Sequence, residues 1–581
     1  MSRQWPGKVK TVDLREETEL SGNIKKYFRH TSARPYQADL ANTLYDILKT
    51  DRHVVVEAPT GLGKTSAVWA PVKAYTTEKR LKVLWLTRTA SQVRQVAAET
   101  GATPVYGRRL LCLHEVISKV DQRRFNQACK ATRQAGRCPY YPGRPKAVKT
   151  TTVSELKDAG LKTSTCPYEV QLLSLSASNS LVATHRQLGL IGWLLAKWRA
   201  GRERIVLVLD EGQHVVSDAL TMVRDSVSLK TLERATLEAA KYGFKDLEGR
   251  LSDAVEYYGN QLDSDGEAEV EDKLPDYEDL MIAGEEVQEK KLRENYAPAS
   301  HLLSLADFKA SLAGGKPLLV REGRSLRLEA TADPQEVLKK VYDGWARTVT
   351  MSATVSAEFL EGLLGEEVTL LRAGWPYGGN LRARLVSGLT TKYEARDERM
   401  VEDIRWMLEL AGKHDGKALV FLPSHDLLET STNGLDILRE NKGMAQEDVD
   451  RLVSEFQSSE KPLVAVYNGR LSEGIDLSAN MVLLIGIPFS PPTARSAKLL
   501  RRLTEILRDE GKARLYGVIL PGLWSALQAA GRAIRGPEDN ATVYLIDNRY
   551  RRLLRLFPRW FRERVEERPL RLEDLPVEVG S

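Results

Sequence analysis

A glycine-rich segment near the amino terminus has the residue types needed to hold phosphate groups. It reads Ala58-Pro59-Thr60-Gly61-Leu62-Gly63-Lys64-Thr65, which is a P-loop pattern with alanine in place of the usual first glycine. Glycines let backbone N–H groups turn toward phosphates, a lysine at this position reaches the β and γ phosphates, and a threonine here ligates Mg²⁺. A β-branched run precedes the segment and a helix-compatible stretch follows it. We therefore expect ATP and Mg²⁺ to bind here; the alternative is a plain glycine turn.

Two adjacent carboxylates, Asp210 and Glu211, directly follow the apolar run 206–209. In a Walker B pair the first carboxylate holds Mg²⁺ through water, and the second orients and deprotonates the attacking water. Such a pair is a weak signal alone, but together with the P-loop it predicts nucleotide hydrolysis.

Two arginines, Arg532 and Arg535, lie three residues apart in the segment that begins at Gln528. Donated across a cleft between two lobes, such guanidinium groups stabilise the charge that develops on a γ-phosphate. Surface arginines at this spacing are also common, so the P-loop context carries this interpretation.

Three shorter elements complete the set of candidate motor motifs. The segment from Ser472 through Gly474 to Asp476 suits a coupling loop between the nucleotide and the rest of the protein. Ser352-Ala-Thr354 would link the nucleotide state to a nucleic-acid track, which Arg88 and Thr89 would contact. A turn or a helix cap explains each of these elements equally well when it is taken alone.

Apolar runs separated by helical or irregular segments predict the scaffold for these motifs. Short buried runs of this kind are typical of parallel strands in an α/β fold. Two tandem sheets are expected, the first containing residues 53–58, 83–86, 180–183, 205–209 and 348–351, and the second containing residues 418–421, 463–466, 482–487, 516–520 and 543–546.

Length and composition favour a multidomain protein of the cytoplasm. A chain of 581 residues exceeds the usual size of one hydrophobic core. The longest apolar run, 481–489, is too short to span a bilayer, so we expect no membrane association. The first residues lack the pattern of a secretory signal, which favours a cytoplasmic location.

The chain has 4 cysteines, Cys112, Cys129, Cys138 and Cys166. In a reducing compartment such clustering favours a metal or cluster site over disulfides. Structural zinc and buried thiols without a ligand remain alternatives.

Residues 106–166 also contain 13 Lys and Arg against 4 Asp and Glu, which suits binding to a phosphate backbone. Four aromatic residues of this segment could stack on bases or pack in its core: Tyr106, Phe125, Tyr140 and Tyr141.

Two further regions have unusual charge. Residues 224–333 show long amphipathic helical patterns, and residues 263–289 within them carry 12 acidic residues against 1 lysine, so we expect an inserted helical domain with an exposed acidic surface. The tail, residues 549–564, contains 7 arginines with interleaved Leu, Phe and Trp, and suits either nucleic-acid contact or closure of the second sheet.

Taken in order, these motifs, together with Arg34-Pro-Tyr-Gln37, resemble the superfamily 2 helicases of the XPD group, which includes the bacterial DinG proteins. The resemblance spans most of the chain. It implies that Arg34, Gln37, Gly474, Asp476 and Gln528 belong to the ATP site. It also implies that the four cysteines hold a 4Fe-4S cluster and that a helical arch is inserted after the Walker B pair.

The implied fold class is α/β, with two tandem RecA-like parallel-sheet lobes and two insertions in the first lobe. The expected limits are 1–105, 168–223 and 334–370 for the first lobe, 106–167 for the iron-sulfur domain, 224–333 for the arch and 371–581 for the second lobe.

The function implied by this resemblance is that of an ATP-dependent DNA helicase. It would translocate 5′-to-3′ on single-stranded DNA, unwind forked DNA as a monomer, and act in DNA repair with repair-complex proteins. Alternatives are a DEAH-type RNA helicase, separated by polarity and sugar preference, and a non-processive ATP-gated DNA clamp.

One departure from the family pattern affects the hydrolytic site. The family usually has Asp-Glu-Ala-His, whereas this chain has Asp210-Glu-Gly-Gln213, with His214 one place later. Gln213 can bridge the lobes by hydrogen bonds, but an amide does not titrate. A shifted backbone path would be needed for His214 to take that position.

Overall fold

The structure is a computed structural model of the 581-residue chain. It describes residues 9–59, 61–141, 143, 152–354, 356–377, 380–467, 469–471, 477–532, 534, 538–566 and 568–575. Within these ranges, no helix is both long and apolar enough to cross a membrane.

The first lobe is built on an eight-stranded sheet whose neighbouring strands are all parallel. In spatial order its strands are β1 (Lys10–Asp13), β12 (Val368–Arg372), β2 (His53–Glu57), β11 (Arg347–Ser352), β6 (Ile205–Leu209), β3 (Lys82–Thr87), β5 (Ser180–Thr184) and β4 (Thr103–Pro104). The central strands β2 and β6 are buried along their whole length, as expected for parallel strands covered on both faces.

The second lobe is built on a seven-stranded parallel sheet. Its spatial order is β15 (Leu438–Arg439), β16 (Leu463–Val466), β14 (Ala418–Leu422), β17 (Met481–Ile485), β18 (Ala541–Ile546), β13 (Leu381–Ser387) and β19 (Leu570–Arg571). The arginine-rich tail closes this lobe, since Trp560 and Phe561 are buried in its core and Trp560 stacks on Trp375.

Helices cover both sheets and form most of the insertions. In chain order, the helices up to residue 312 are α1 (Gly22–Lys25), α2 (Gln37–Thr50), α3 (Lys64–Glu78), α4 (Ala90–Thr100), α5 (Arg108–Leu111), α6 (Gln122–Gln134), α7 (Val153–Thr163), α8 (Pro167–Leu175), α9 (Ile191–Trp198), α10 (Gln213–Leu220), α11 (Leu229–Tyr242), α12 (Lys245–Gly259), α13 (Tyr277–Arg293) and α14 (His301–Leu312). The later ones are α15 (Pro334–Tyr342), α16 (Ala357–Leu364), α17 (Glu398–Gly412), α18 (His425–Thr432), α19 (Gln446–Ser458), α20 (Ala494–Leu507), α21 (Glu510–Arg514), α22 (Leu520–Ala530), α23 (Asn548–Leu553) and α24 (Arg559–Arg562).

The strand expected at residues 516–520 is wrong. A π-helical turn, Leu515–Ile519, joins α21 to α22 there, so the whole segment is helical. Gly517 allows it to approach α20 closely, because a Cβ atom at this position would lie 3.0 Å from a Leu503 methyl. A short apolar run does not distinguish a buried strand from a buried helix.

The segment between β4 and β5 carries the four cysteines and is called here the cysteine segment (residues 106–167). Its helices α5, α6 and α7 are followed by α8, which begins directly after Cys166. Tyr106 and Phe125 are buried, so both belong to packed cores and not to an exposed stacking surface.

A second insertion, called here the inserted domain (residues 223–331), is not purely helical as expected. Helices α11 to α14 pack on a four-stranded antiparallel sheet that the sequence patterns missed. Its strands are β7 (Val223–Ser228), β10 (Ser325–Thr331), β9 (Leu318–Glu322) and β8 (Gly266–Glu269). The domain has its own apolar core, which includes Leu232, Tyr258 and Phe308.

Acidic residues of the inserted domain are paired with basic residues of α20 in the second lobe. Arg495 forms ion pairs with Glu267 and Glu329, and its backbone N–H donates to Glu267 at 2.8 Å. Lys498 pairs with Glu269 at 3.0 Å. Part of the acidic surface is therefore an interface between domains.

A polar interface also joins the inserted domain to α6 of the cysteine segment. Arg123 donates through both terminal nitrogens to Asp225, at 2.8 Å each, and Gln127 donates to Asp307 at 2.6 Å. Ala299 completes a small apolar cluster with Ile117 and Phe125. The inserted domain thus contacts both the cysteine segment and the second lobe.

Candidate nucleotide and nucleic-acid site

The P-loop connects β2 to α3 at the carboxyl edge of the first sheet. Gly61 and Gly63 both have φ of 80°, a conformation that favours glycine. Lys64 lies at the start of α3, where its Nζ donates to the carbonyls of Ala58 at 3.3 Å and Pro59 at 3.2 Å. Thr65 follows in the first helical turn, and Leu62 is buried. Thr60 lies outside the described residues.

Gln37 and Arg34 support this loop from the start of α2. The buried Gln37 amide donates to the carbonyls of Leu62 at 2.7 Å and Gly63 at 3.2 Å and accepts from the Arg34 N–H at 2.8 Å. A Cβ atom at Gly63 would lie 2.4 Å from the Gln37 nitrogen, so this contact requires glycine. The Arg34 guanidinium donates to the Gly61 carbonyl at 3.0 Å.

The Walker B carboxylates lie at the end of β6, two strands from the P-loop strand. Burial and the adjacent Glu211 raise the pKa of Asp210. Burial acts in the same direction on Glu211, but the Lys64 charge, the Gln213 amide and Arg532 outweigh it and hold its pKa below the ordinary value. Glu211 is thus the carboxylate that stays ionised, which suits a group that accepts a proton from water.

Gln213 connects the Walker B pair to the Ser-Ala-Thr element by hydrogen bonds. Its amide nitrogen donates to Glu211 at 2.7 Å, and its amide oxygen accepts from the Ser352 hydroxyl at 2.6 Å. Ser352 in turn accepts from the Thr354 N–H at 3.0 Å. The bonds of Gln213 to Glu211 and Ser352 both lie within the first lobe, and the expectation that this residue bridges the lobes stays a prediction.

His214, the next residue, contacts Arg88. The Arg88 guanidinium lies 2.6 and 2.7 Å from its two ring nitrogens. Burial and the Arg88 charge lower the pKa of His214 to about 3, which keeps the imidazole neutral. Gln213, and not His214, therefore occupies the place between Glu211 and Ser352.

The second lobe contributes Arg532 to the cleft. Arg532 lies two residues beyond the end of α22 and is close enough to Glu211 to lower the pKa of that carboxyl. Gln528 lies one helical turn before it on α22. Arg535, Gly474 and Asp476 lie outside the described residues.

The four cysteines of the cysteine segment line one cavity, together with Arg108, His114 and Arg133 among other residues. Burial raises the pKa of Cys112 to about 11 and raises those of Cys138 and Cys166. Among the described residues, no group of three or more His, Cys, Asp or Glu side chains is arranged as a metal site. The structure therefore brings the thiols to one cavity without defining a coordination geometry.

A groove of about 1060 Å³ separates the cysteine segment from the carboxyl edge of the first sheet. Its cationic lining residues are Arg88, Arg108, Arg109, Lys130, Arg133 and Arg186. Tyr168 and Trp193 also line it and stack on each other with ring centroids 5.6 Å apart. Basic groups beside aromatic rings are the features that bind single-stranded nucleic acid.

Two contributions to the site have no clear signal in the sequence. Tyr377, in the link between the lobes, donates to the Gly61 carbonyl and accepts from Arg34 at 3.1 Å. The Tyr168–Trp193 stack joins residues from α8 and α9. Aromatic residues near a basic segment are common, and only the fold places these beside the P-loop or the groove.

A P-loop and a Walker B pair on one parallel-sheet lobe, faced by an arginine from a second such lobe, define a two-lobed nucleotide-driven motor of the helicase class. Two family models match within the chain: DEAD_2 over residues 85–232 and the helicase C-terminal domain over residues 407–564. They cover the Walker B region of the first lobe and most of the second lobe.

Curated relatives and solved structures extend this likeness over most of the chain. The ATP-dependent DNA helicase XPD of Sulfolobus acidocaldarius is 23% identical, over 90% of this chain and 96% of that protein. The ATP-dependent DNA helicase CHL1 of Yarrowia lipolytica is 22% identical, over 84% of this chain and 77% of its own length. A solved XPD helicase structure aligns with a TM-score of 0.72 at 21% identity, over 90% of this chain and 97% of its own. The protein belongs to the XPD-like helicase family.

Proposed function

We propose that this protein is an ATP-dependent DNA helicase that moves 5′-to-3′ along single-stranded DNA and opens duplex ahead of it. The observation that carries the proposal is the hydrogen-bonded chain from Glu211 through Gln213 to Ser352, at the edge where the P-loop lies. This chain joins the group that would activate water to Ser352, the last residue of β11. DNA as the substrate agrees with the names of the relatives, which are ATP-dependent DNA helicases.

Each residue of the site has a distinct part in ATP hydrolysis. Lys64 and the loop N–H groups would hold the β and γ phosphates, while Thr65 and Asp210 would hold Mg²⁺. Glu211, ionised at neutral pH, would take the proton of the attacking water. Arg532 would stabilise charge on the γ-phosphate from the opposite lobe and make hydrolysis depend on lobe closure.

The groove beside the cysteine segment is the proposed DNA track. Arg88 and Arg186 would contact phosphates, and the Trp193 face would stack on a base. Arg88 also contacts His214, the residue after Gln213. A change in the hydrogen bonds of Gln213 would therefore reach Arg88 in the DNA groove through the peptide bond that joins Gln213 to His214.

The cysteine cavity fits a 4Fe-4S cluster in the chemistry of its lining. Cys112, Cys129, Cys138 and Cys166 would supply four thiolates, and Arg108 and Arg133 would offset their negative charge. Such a cluster would serve as a covalent staple for a small basic domain. Contacts between side chains would also orient that domain, because Arg123 and Gln127 of α6 bind the inserted domain.

Domain limits, assembly and cellular role are part of the proposal. We place the first lobe at residues 1–105, 168–223 and 334–370, the cluster domain at 106–167, the arch at 224–333 and the second lobe at 371–581. The protein would act as a monomer in the cytoplasm, on forked DNA during repair, with repair-complex proteins as partners.

The experiment that tests this function is strand displacement by protein purified without oxygen. Duplexes with a 5′ tail or a 3′ tail are compared in DNA and in RNA, with ATP and Mg²⁺. We expect unwinding of the 5′-tailed DNA alone. Glu211→Gln serves as the control, because it keeps the side-chain shape but cannot take a proton, and should bind DNA without unwinding it.

The other outcomes separate the alternatives. Unwinding of RNA, or of 3′-tailed DNA, would contradict the proposed substrate or polarity and leave a two-lobed motor of another kind. ATP hydrolysis stimulated by DNA without any strand displacement would favour an ATP-gated clamp.

A further inference from the structure

A cationic cavity lies at the amino-terminal edge of the first sheet and encloses about 360 Å³. Five basic side chains line it: Lys73, Arg80, Lys82, Arg199 and Arg204. They come from α3, the turn before β3, the first residue of β3, the residue after α9 and the residue before β6. Segments far apart in sequence thus converge to place positive charge in one concavity.

This cavity is remote from the ATP site and from the groove. Strands β3 and β6 begin at the cavity and end immediately before Arg88 and Asp210, respectively. With a rise of about 3.3 Å per residue, strands of this length separate the two edges by roughly 15–20 Å. The five cations therefore belong to neither of the sites proposed above.

Within the described part of the chain, the basic side chains of the cavity have no acidic partners. No Asp or Glu lines it among the described residues, and none of the five cations forms an ion pair within that part of the chain. Lys73 donates to the Ser180 hydroxyl at 3.0 Å, and Lys82 donates to the Trp198 carbonyl at 3.1 Å. Burial lowers the pKa of both lysines, as expected for cations held without a counter-charge.

Two of the arginines have a backbone conformation that favours glycine. Arg80 and Arg199 both have φ of 53°, each just beyond a helix end. Glycine is the residue usually found at such positions, because a side chain is unfavourable there. Packing does not require arginine at either position, since both side chains are exposed.

We propose that this cavity binds a compact polyphosphate, either the phosphate groups of a nucleoside polyphosphate or inorganic polyphosphate. Lysine and arginine are the usual phosphate ligands, and converging cations without carboxylates select polyanions. The cavity is concave and small, which suits two or three linked phosphates better than the long surface that a duplex requires. The proposal does not depend on the helicase assignment.

Calorimetric titration of inorganic tripolyphosphate into the full-length protein tests this site. We expect two binding sites, one lost in Lys64→Ala and the other lost in the double variant Arg80→Gly/Arg199→Gly, with roughly tenfold or greater weakening at the second site. Glycine suits the backbone at both positions, so this variant should melt at or above the temperature of the parent protein. Retention of both sites in the double glycine variant would overturn the proposal.

Arg508→Gly is the matched control, because Arg508 is another exposed arginine beyond a helix end, with φ of 54°, and does not line the cavity. It should retain both sites, and loss of a site in this variant would overturn the assignment to the cavity.

Further titrations identify the source of the phosphates. In Lys64→Ala, where only the cavity site remains, ATP or GTP binding at least roughly tenfold tighter than tripolyphosphate would assign a nucleoside polyphosphate, and equal affinity would assign the phosphates alone. If the double glycine variant loses affinity only for a single-stranded oligodeoxynucleotide, the cavity is a nucleic-acid contact and the polyphosphate proposal is wrong.

Discussion

The Walker B turn and the inserted domain are held in place by different kinds of contact. Around Glu211, buried Gln213 and Ser352 form short hydrogen bonds between uncharged groups and one carboxylate. The inserted domain meets α20 through ion pairs in which the basic side chains, Arg495 and Lys498, are partly exposed. Buried bonds are costly to break, whereas partly exposed ion pairs contribute little individually and weaken with salt. The Walker B turn is therefore held rigidly, whereas the contacts between the inserted domain and α20 can rearrange more easily.

The largest expected effect comes from the P-loop. Lys64→Ala removes the charge that would hold the β and γ phosphates, and ATP hydrolysis should fall by about 10³-fold or more. DNA binding should stay largely intact, because the groove is lined by other residues. Steady-state hydrolysis and fluorescence anisotropy with a DNA oligonucleotide measure the two effects, and retained turnover would refute the P-loop assignment.

The cysteine cavity should separate unwinding from hydrolysis. Cys138→Ser removes one of four proposed ligands, so iron content and strand displacement should both be lost, while some ATP hydrolysis persists because the first sheet builds that site independently. His114→Gln is the control, since His114 lines the same cavity without being a proposed ligand. Iron analysis and strand displacement check this, and normal unwinding by Cys138→Ser would show that the staple is dispensable.

Gln213 tests whether the buried chain of hydrogen bonds acts as one unit. Gln213→Leu leaves the Ser352 hydroxyl and one Glu211 oxygen without this partner, and should lower DNA-stimulated hydrolysis about tenfold. Ser352→Ala breaks the same chain from its other side. If the chain is a unit, the double variant should be little worse than either single one, whereas multiplicative losses would show independent roles.

The smallest expected effect is at the interface with α20. Arg495→Ala removes two ion pairs, but Glu329 keeps its bond to Arg327 at 2.8 Å, so the interface should weaken by only about 1 kcal/mol. Hydrogen exchange in β8 and α20 should become roughly fivefold faster in low salt, and this difference should shrink in high salt. Arg501→Ala changes an exposed arginine of the same helix that has no described ion pair, and should leave exchange unchanged. An equal effect of both variants would show that this interface is not ionic.

Sequence patterns predicted the parts of the fold that depend on local composition. Buried runs such as β2 and β6 are entirely apolar or β-branched in their interior, and the residues after them are the predicted site residues. The antiparallel sheet of the inserted domain was missed because its strands are short and carry alternating charged residues, as in Gly266–Glu269. Its charges serve a contact with a segment more than 200 residues away, as the Glu267–Arg495 pair shows, and no local pattern encodes such a contact.

The candidate site was predictable to a similar extent. Residue types identified Lys64, Asp210 and Glu211, because phosphate and Mg²⁺ chemistry restricts the choice of side chains. The direction in which Gln213 points, and the support of Gly61 by Tyr377, depend on packing between distant segments. The expectation that Gln213 bridges the lobes stays a prediction, because its bonds to Glu211 and Ser352 lie within the first lobe.

Gly212, between Glu211 and Gln213, limits how this motor could be re-engineered. A Cβ atom there would lie 2.3 Å from the Thr350 methyl, and Thr350 is fixed because its hydroxyl bonds to Tyr342 at 2.9 Å. Restoring the alanine of the family pattern would therefore require a smaller neighbour on β11 at the same time. Positions 212 and 350 are therefore sterically coupled, so that a side chain can be added at one only if the other is made smaller.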